Sequence, residues 1–169
     1  LSPAPLSPAP SLTSLPFTDQ YGVPRIAFVN KMDREGASFE GTMSSIRARL
    51  YANPLPVQYP VPGTFAAVIA DVVSMQLQTW ELMEDSSGRV VTTSPLPGNL
   101  REKITAWRGE LVEKVCEIDD QLMEAYLAGG CDAEAMTVDS LKAALRRVTL
   151  AGTGLPVFCG SALRNKGVQ

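Results

Sequence analysis

The chain has 169 residues, 45% of them hydrophobic and 20% charged, with a formal net charge of −3. That is enough chain for one domain with a real core, and the near-neutral balance offers no bulk electrostatic case for nucleic-acid binding. No apolar run reaches the roughly 20 residues of a membrane span. The three cysteines, Cys116, Cys131 and Cys159, are odd in number and lack C-x-x-C spacing, which argues against a disulfide framework or a zinc site. There is no histidine, so any mechanism built on a histidine base cannot be completed within these residues.

Taken in order, the chain opens on a low-complexity stretch. LSPAP occurs twice, at 1–5 and 6–10, and no charge appears before Asp19. Residues 1–20 have no periodicity, cannot build a core and read as disordered. They lack the arginines and amphipathicity of a mitochondrial targeting peptide. Behind Pro24, the short apolar run Ile26-Ala27-Phe28-Val29 reads as a buried strand of a parallel sheet. It ends in Asn30-Lys31-Met32-Asp33, where ligands sit in open α/β folds. The two oxygens of an aspartate there can accept from adjacent N–H groups. Guanine presents such a pair, N1–H and N2–H₂, and adenine does not. Asn30 can pin the loop or touch the base, and the Lys31 stem can lie along the ring.

Phe39, Met43, Ile46 and Leu50 form one apolar stripe of a helix over about 38–51, with Ser38 as N-cap and Asn53-Pro54 as its stop. The prolines at 54, 56 and 60 confine any strand there to an edge or break it. Residues 65–82 read as two strands, and Arg89 to Thr93 as a third, short one, in a turn-rich connection. From Leu100 the apolar positions 104, 107, 111, 115, 118 and 122 recur at helical spacing. They predict one helix, or two broken near Asp119-Asp120, ending at Gly129-Gly130. Another face carries Glu110, Glu113, Glu117, Asp120 and Glu124, an acidic stripe that is by default a solvated surface. Thr137 to Ala151 predicts a further helix with Val138, Leu141, Leu145 and Val148 inward.

Leu155-Pro156-Val157-Phe158-Cys159 is the second buried strand, running into Gly160-Ser161-Ala162-Leu163. If it lies parallel to the first, both loops share one sheet edge and the Ala162 N–H can reach guanine O6. VNKMDR at 29–34 together with CGSALRNKGVQ at 159–169 resembles the fourth and fifth guanine-nucleotide motifs of translational GTPases, specifically the elongation factor G family. The resemblance runs from about Tyr21 to Gln169. It implies an α/β fold, part of a P-loop-type GTPase domain with a parallel sheet and flanking helices, carrying an inserted α+β subdomain. Residues 21–63 and 153–169 are expected to be the C-terminal half of the GTP-binding domain and 64–152 the insert. An insert also follows from the spacing, because the interval from Asp33 to Ser161 far exceeds the helix and one or two strands a compact nucleotide fold needs.

The resemblance further implies GTP or GDP as ligand, held at the base by Asn30, Lys31, Met32, Asp33, Ser161, Ala162 and Leu163. Magnesium would be held only through segments this sequence does not contain. No G-x-x-x-x-G-K-[ST] phosphate loop is present. Asp33-Arg34-Glu35-Gly36 and Asp85-Ser86-Ser87-Gly88 match the D-x-x-G motif but read as decoys. No catalytic residue is therefore assigned, the chain reads as a fragment, and GTP hydrolysis is expected of the full-length protein only. The leading repeats read as an incomplete or misjoined gene model, with a natural flexible linker as the alternative. Words such as Gly36-Ala37-Ser38-Phe39 and Arg147-Val148-Thr149-Leu150-Ala151 are most similar to the type-two mitochondrial, ribosome-releasing branch of the family. That branch implies the mitochondrial matrix, the mitochondrial ribosome and the ribosome recycling factor, and a role in ribosome disassembly after termination. The translocation branch is the close alternative. Glu113, Glu117 and Asp120 match acidic residues of the bacterial insert helix that face the ribosomal stalk protein. A reading of different class is a non-catalytic, stalk-binding module with relic nucleotide loops.

Overall fold

A computed structural model describes residues 21–64, 67–80 and 91–168. The repeats at 1–20, the D-x-x-G match at 85–88 and the start of the predicted strand at 89–93 lie outside the described residues. Seven strands and four helices are described. They are β1 (Ala27–Val29), α1 (Phe39–Leu50), β2 (Pro54–Pro56), β3 (Gln58–Pro60), β4 (Val68–Asp71), β5 (Gln76–Trp80), β6 (Val91–Pro95), α2 (Gly98–Cys116), α3 (Asp120–Ala128), α4 (Val138–Leu150) and β7 (Leu155–Cys159).

β1, β7 and β2 form a parallel sheet in that spatial order, and β3-β4-β5-β6 form an antiparallel meander. The α/β expectation holds. β7 is the central parallel strand, and all but Phe158 of its residues are buried, as a strand covered on both faces requires. The prolines at 54, 56 and 60 fall on β2 and β3, both at sheet edges, where a missing N–H breaks no ladder. Between them Val57 joins the two sheets. Its N–H donates to Val157 O (3.2 Å) in the parallel sheet and its carbonyl accepts from Val72 N (3.0 Å) in the other. The antiparallel sheet thus takes its first strand from Gln58–Pro60, ahead of residue 64.

The helices follow from local rules. Ser38 Oγ accepts from Gly41 N (3.0 Å) at the start of α1, and Thr137 Oγ1 from Ser140 N (3.2 Å) at the start of α4. Phe39 and Met43 of the predicted stripe are buried, as are Ile104, Leu111, Val115 and Leu122 of the later one. Of the two alternatives left open at 119–120, the break is realised. α2 ends at Cys116, and Asp119 caps α3 by accepting from Leu122 N (2.8 Å). The same carboxylate takes both Nε and a terminal nitrogen of Arg147 on α4 at 2.7 Å. Two-point pairing of this kind fixes direction as well as distance, so one residue sets both the start of α3 and its angle to α4.

Three ties bolt α1 to α2. Phe39, Tyr59 and Trp107 pack with ring centroids 5.5–5.9 Å apart. Lys103 lies 4.6 Å over the Tyr59 ring and 3.5 Å from Glu40, which accepts from the Tyr59 hydroxyl (2.9 Å). Arg47 reaches Glu110 (2.9 Å), which Lys114 also pairs.

Arg108 on α2 falls at helical spacing between Ile104 and Leu111, and although its charge reads as a solvated residue it is only 3% exposed. Its guanidinium donates to the carbonyls of Val72, Val73, Ala133 (3.2 Å) and Met136 (2.6 Å). It therefore joins the β4–β5 turn to the α3–α4 connection across the insert core. Burial lowers its affinity for the proton, partly offset by Glu134 and Asp71. Arg108→Met should orphan these carbonyls and destabilise the fold by about 3 kcal/mol or more, taking roughly 1–3 kcal/mol per stranded buried acceptor. Urea unfolding of the two chains measures this, and a loss below about 1 kcal/mol would mean that the carbonyls find other partners.

Candidate functional site

The site is built by the pairing of β1 with β7. The register is Ala27↔Val157, Phe28↔Phe158 and Val29↔Cys159, so two strands far apart in sequence end side by side and release their loops at the same edge. Gly160 N donates to Val29 O and Met32 N to Gly160 O, both at 3.0 Å. These bonds continue the pairing one step beyond the strands and lock the loops together. A side chain at 160 has no room, because a Cβ there would stand 2.2 Å from Lys166 O.

Each loop is closed on itself. Asn30 Oδ1 accepts from Lys31 N (2.7 Å) and, across the gap, from Ala162 N (3.0 Å). Lys31 sits at φ 63°. In the second loop Ser161 and Lys166 exchange two backbone bonds of 3.0 Å, and Arg164 N and Asn165 N close turns onto Ser161 O and Ala162 O. This small turn holds Arg164 against the first loop, where its Nε donates to Asp33 Oδ2 at 3.0 Å.

The predicted base-contacting residues divide into three groups. Asp33, Asn30 and the Ala162 N–H converge at the shared edge. Lys31 and Leu163 are exposed there, Leu163 at 94%, as side chains that flank a ring must be. Met32 and Ser161 face inward. Met32 packs against the core and, with Phe39 and Tyr59, lines a cavity of about 210 Å³ behind the loop. Ser161 is 1% exposed and its Oγ has no hydrogen-bond partner of good geometry among the described residues. The hydroxyl nevertheless stands near enough to Asp33 to favour the carboxylate. Together with Arg164 it outweighs the cost of burial and holds the Asp33 carboxyl below its ordinary range. At neutral pH the site thus presents an ionised carboxylate beside the Ala162 N–H, which here donates to Asn30 Oδ1 rather than standing free, so a base carbonyl would have to share or displace that bond. Guanine carries the complementary set, two adjacent donors and a carbonyl, whereas adenine carries neither in that arrangement.

The chain matches the model of the elongation factor Tu GTP binding domain over residues 10–169. It belongs to that family. It is similar to "Elongation factor G" of Fervidobacterium nodosum, 43% identical over 153 residues, and to "Elongation factor G" of Dehalococcoides mccartyi strain 195, 44% identical over 152 residues. Each alignment covers 89% of this chain and 21% of the relative. The chain therefore spans about a fifth of the length of these relatives. A crystal structure of a Thermus thermophilus protein superposes with a TM-score of 0.70 at 26% identity, over 89% of this chain and 21% of that one.

Among the described residues no group of three or more His, Cys, Asp or Glu side chains could hold a metal. The groups that meet at the shared edge are the Asp33 carboxylate, the Asn30 amide and the Ala162 N–H. The acidic stripe differs from its expectation. Glu110 turns to Arg47 and Lys114, and the helix break places Glu113 in the last turn of α2, Glu117 at its C-cap and Asp120 in the first turn of α3. These last three are exposed, with no ion pair among the described residues. The five acids are therefore not one stripe on one helix. Three unpaired acids straddle a corner instead.

Gly160→Ala should push Lys166 from the Ser161 bridge and cost about 1–3 kcal/mol as an overpacked contact. Thermal melts read the loss. A fully stable variant with unchanged Ser161 and Lys166 amide exchange would mean that this close approach does not hold the loop.

Proposed function

We propose that this chain carries the guanine-reading part of a translational GTPase that works on the ribosome. The observation that carries the reading is that the two loops holding Asp33 and Ala162 leave one sheet edge and are tied across the gap by Ala162 N to Asn30 Oδ1 and by Arg164 Nε to Asp33 Oδ2. Asn30, Lys31, Met32, Asp33, Ser161, Ala162 and Leu163 form the base site for GTP or GDP in this reading, with Met32 and Ser161 acting from behind the loops. Membership in the GTP-binding family supports hydrolysis by the whole protein, whose phosphate- and magnesium-holding parts would have to come from residues outside this chain. Residues 21–63 with 153–169 act as the base half of the G domain in this reading and 64–152 as the insert, whose sheet also takes in the strand Gln58–Pro60 from ahead of that boundary.

Within the family, the sequence words at 36–39 and 147–151 support the mitochondrial ribosome-releasing branch, working in the matrix with the recycling factor. The bacterial relatives, named elongation factor G, favour translocation equally. Purified full-length protein separates the two. The releasing reading expects GTP-dependent splitting of mitochondrial ribosomes with recycling factor and no movement of transfer RNA; translocation without splitting reverses it.

For base choice, Asp33→Asn in the full-length protein replaces an acceptor with a donor facing guanine's donors. A site built on such bonds discriminates by about 10⁴-fold, so GTP affinity should fall steeply. Xanthosine triphosphate, with oxygen in place of the 2-amino group, should be partly restored. Unchanged GTP affinity would remove Asp33 from the base site.

The exposed acids Glu113, Glu117 and Asp120 offer a complementary surface to a basic partner, the ribosomal stalk protein in this reading, and would speed its encounter. Their reversal to lysine should spare folding and nucleotide binding. It should slow ribosome-stimulated hydrolysis at low salt, with the deficit shrinking as salt screens the pairing. Wild-type rates at low salt would make them ordinary solvated surface.

A further inference from the structure

Asp33 does not stand alone on its loop. Its side chain is 13% exposed, and the group covering it is Arg164, 59% exposed, through Nε to Oδ2 at 3.0 Å. Arg164 is not free to wander. It sits in the turn closed by the paired Ser161–Lys166 bonds and by Arg164 N to Ser161 O (3.2 Å). The same turn brings the buried Ser161 hydroxyl close to the carboxylate. Lys166, also buried, lies within electrostatic range of both Asp33 and Arg164. The charged groups facing Asp33 are thus Arg164 and Lys166, both from the second loop.

A bidentate reader must present both oxygens in one plane, and a carboxylate at a strand end rotates about two bonds. The side chain that hydrogen-bonds the Asp33 carboxylate, Arg164, comes from the second loop. Arg164 uses one nitrogen on one oxygen, and a carboxylate offers about four lone-pair sites, so the edge remaining to a base keeps an acceptor on each oxygen. We infer that Arg164 is a positioning residue for base recognition, holding the Asp33 carboxylate in the orientation that meets guanine while touching no part of the base. This rests on the guanine reading of Asp33 and goes beyond it by giving a role to a residue outside the predicted base-contacting set. The Ser161 hydroxyl and Arg164 both keep Asp33 ionised. Loss of Arg164 therefore raises the carboxyl back toward its ordinary value of 3.8, and binding that needs the carboxylate is lost at a higher pH on acidification.

The test uses the full 169-residue chain with GDP as probe and ADP as base control, in wild type, Arg164→Met and Arg164→Lys, across an acid titration. The carbon NMR signal of the Asp33 carboxyl is followed alongside. The account expects Arg164→Met to bind GDP about two- to fivefold more weakly, the range of an exposed ion pair. The acid limb of binding and the Asp33 titration should both move to higher pH, and Arg164→Lys should restore most of each. GDP affinity and acid limb equal to wild type would overturn the inference, as would tighter GDP binding, which would make Arg164 a competitor of the base. If the wild-type chain binds GDP no better than ADP, the guanine reading itself fails and this role for Arg164 with it. The carboxyl titration still shows in that case whether Arg164 holds Asp33.

Discussion

The structure depends on the parallel pairing of β1 with β7. These strands stand at opposite ends of the described chain, and their register of Val29 against Cys159 is what turns two ordinary loops into one site. A one-residue slip would exchange the faces of the strand and move Asp33 off the edge. The register is protected on both sides. Val157 and Cys159 are wholly buried, and the Gly160 and Met32 backbone bonds extend the ladder into the loops. Burial also pushes the Cys159 thiol up, so at this strand end the cysteine serves as a small apolar side chain.

Bringing such distant strands together has to be sustained by what lies between them. The intervening chain returns through α4, which packs on β7, and through α2, which touches the edge strand β2. The aromatic contact of Phe39, Tyr59 and Trp107 joins α1 to α2 only a few residues beyond Asp33. Inside the insert, Arg108 replaces what would otherwise be an apolar contact with hydrogen bonds to carbonyls of two separate connections. A guanidinium suits that task because its donors are fixed in a plane and its charge is weakly hydrated. The segment between the two strands is therefore bolted to the parallel sheet, and its acidic corner is carried at a set position relative to the two loops at the sheet edge.

Much of this is legible in the sequence, for identifiable reasons. Both parallel strands are visible as short apolar runs, and α1 and α4 as stripes with side-chain caps, because their signals are local. The first is not the buried strand its composition suggests, since Ile26 and Phe28 are exposed and only Val29 is buried on this edge strand. The juxtaposition of Asp33 with Ala162 is legible only as a consequence of assuming adjacent strands. Arg108 escapes because an arginine at helical spacing between Ile104 and Leu111 looks like a solvated residue; its partners are carbonyls from distant turns and leave no mark in composition. The acidic stripe reads too long for a related reason. Periodicity runs through a helix break, and only Asp119, engaged at once as cap and as the partner of Arg147, shows where the direction changes. Arg164 escapes because its partner lies across the loop gap, a relation that only the closed turn at 161–166 defines.

The most direct test of the central claim is an amide spectrum of the chain titrated with GDP and, separately, with ADP. If the two loops form one guanine-reading edge, the Asp33 and Ala162 signals move together with a single dissociation constant on adding GDP and stay in place with ADP. Movement of only one loop, or an equal response to ADP, would contradict it.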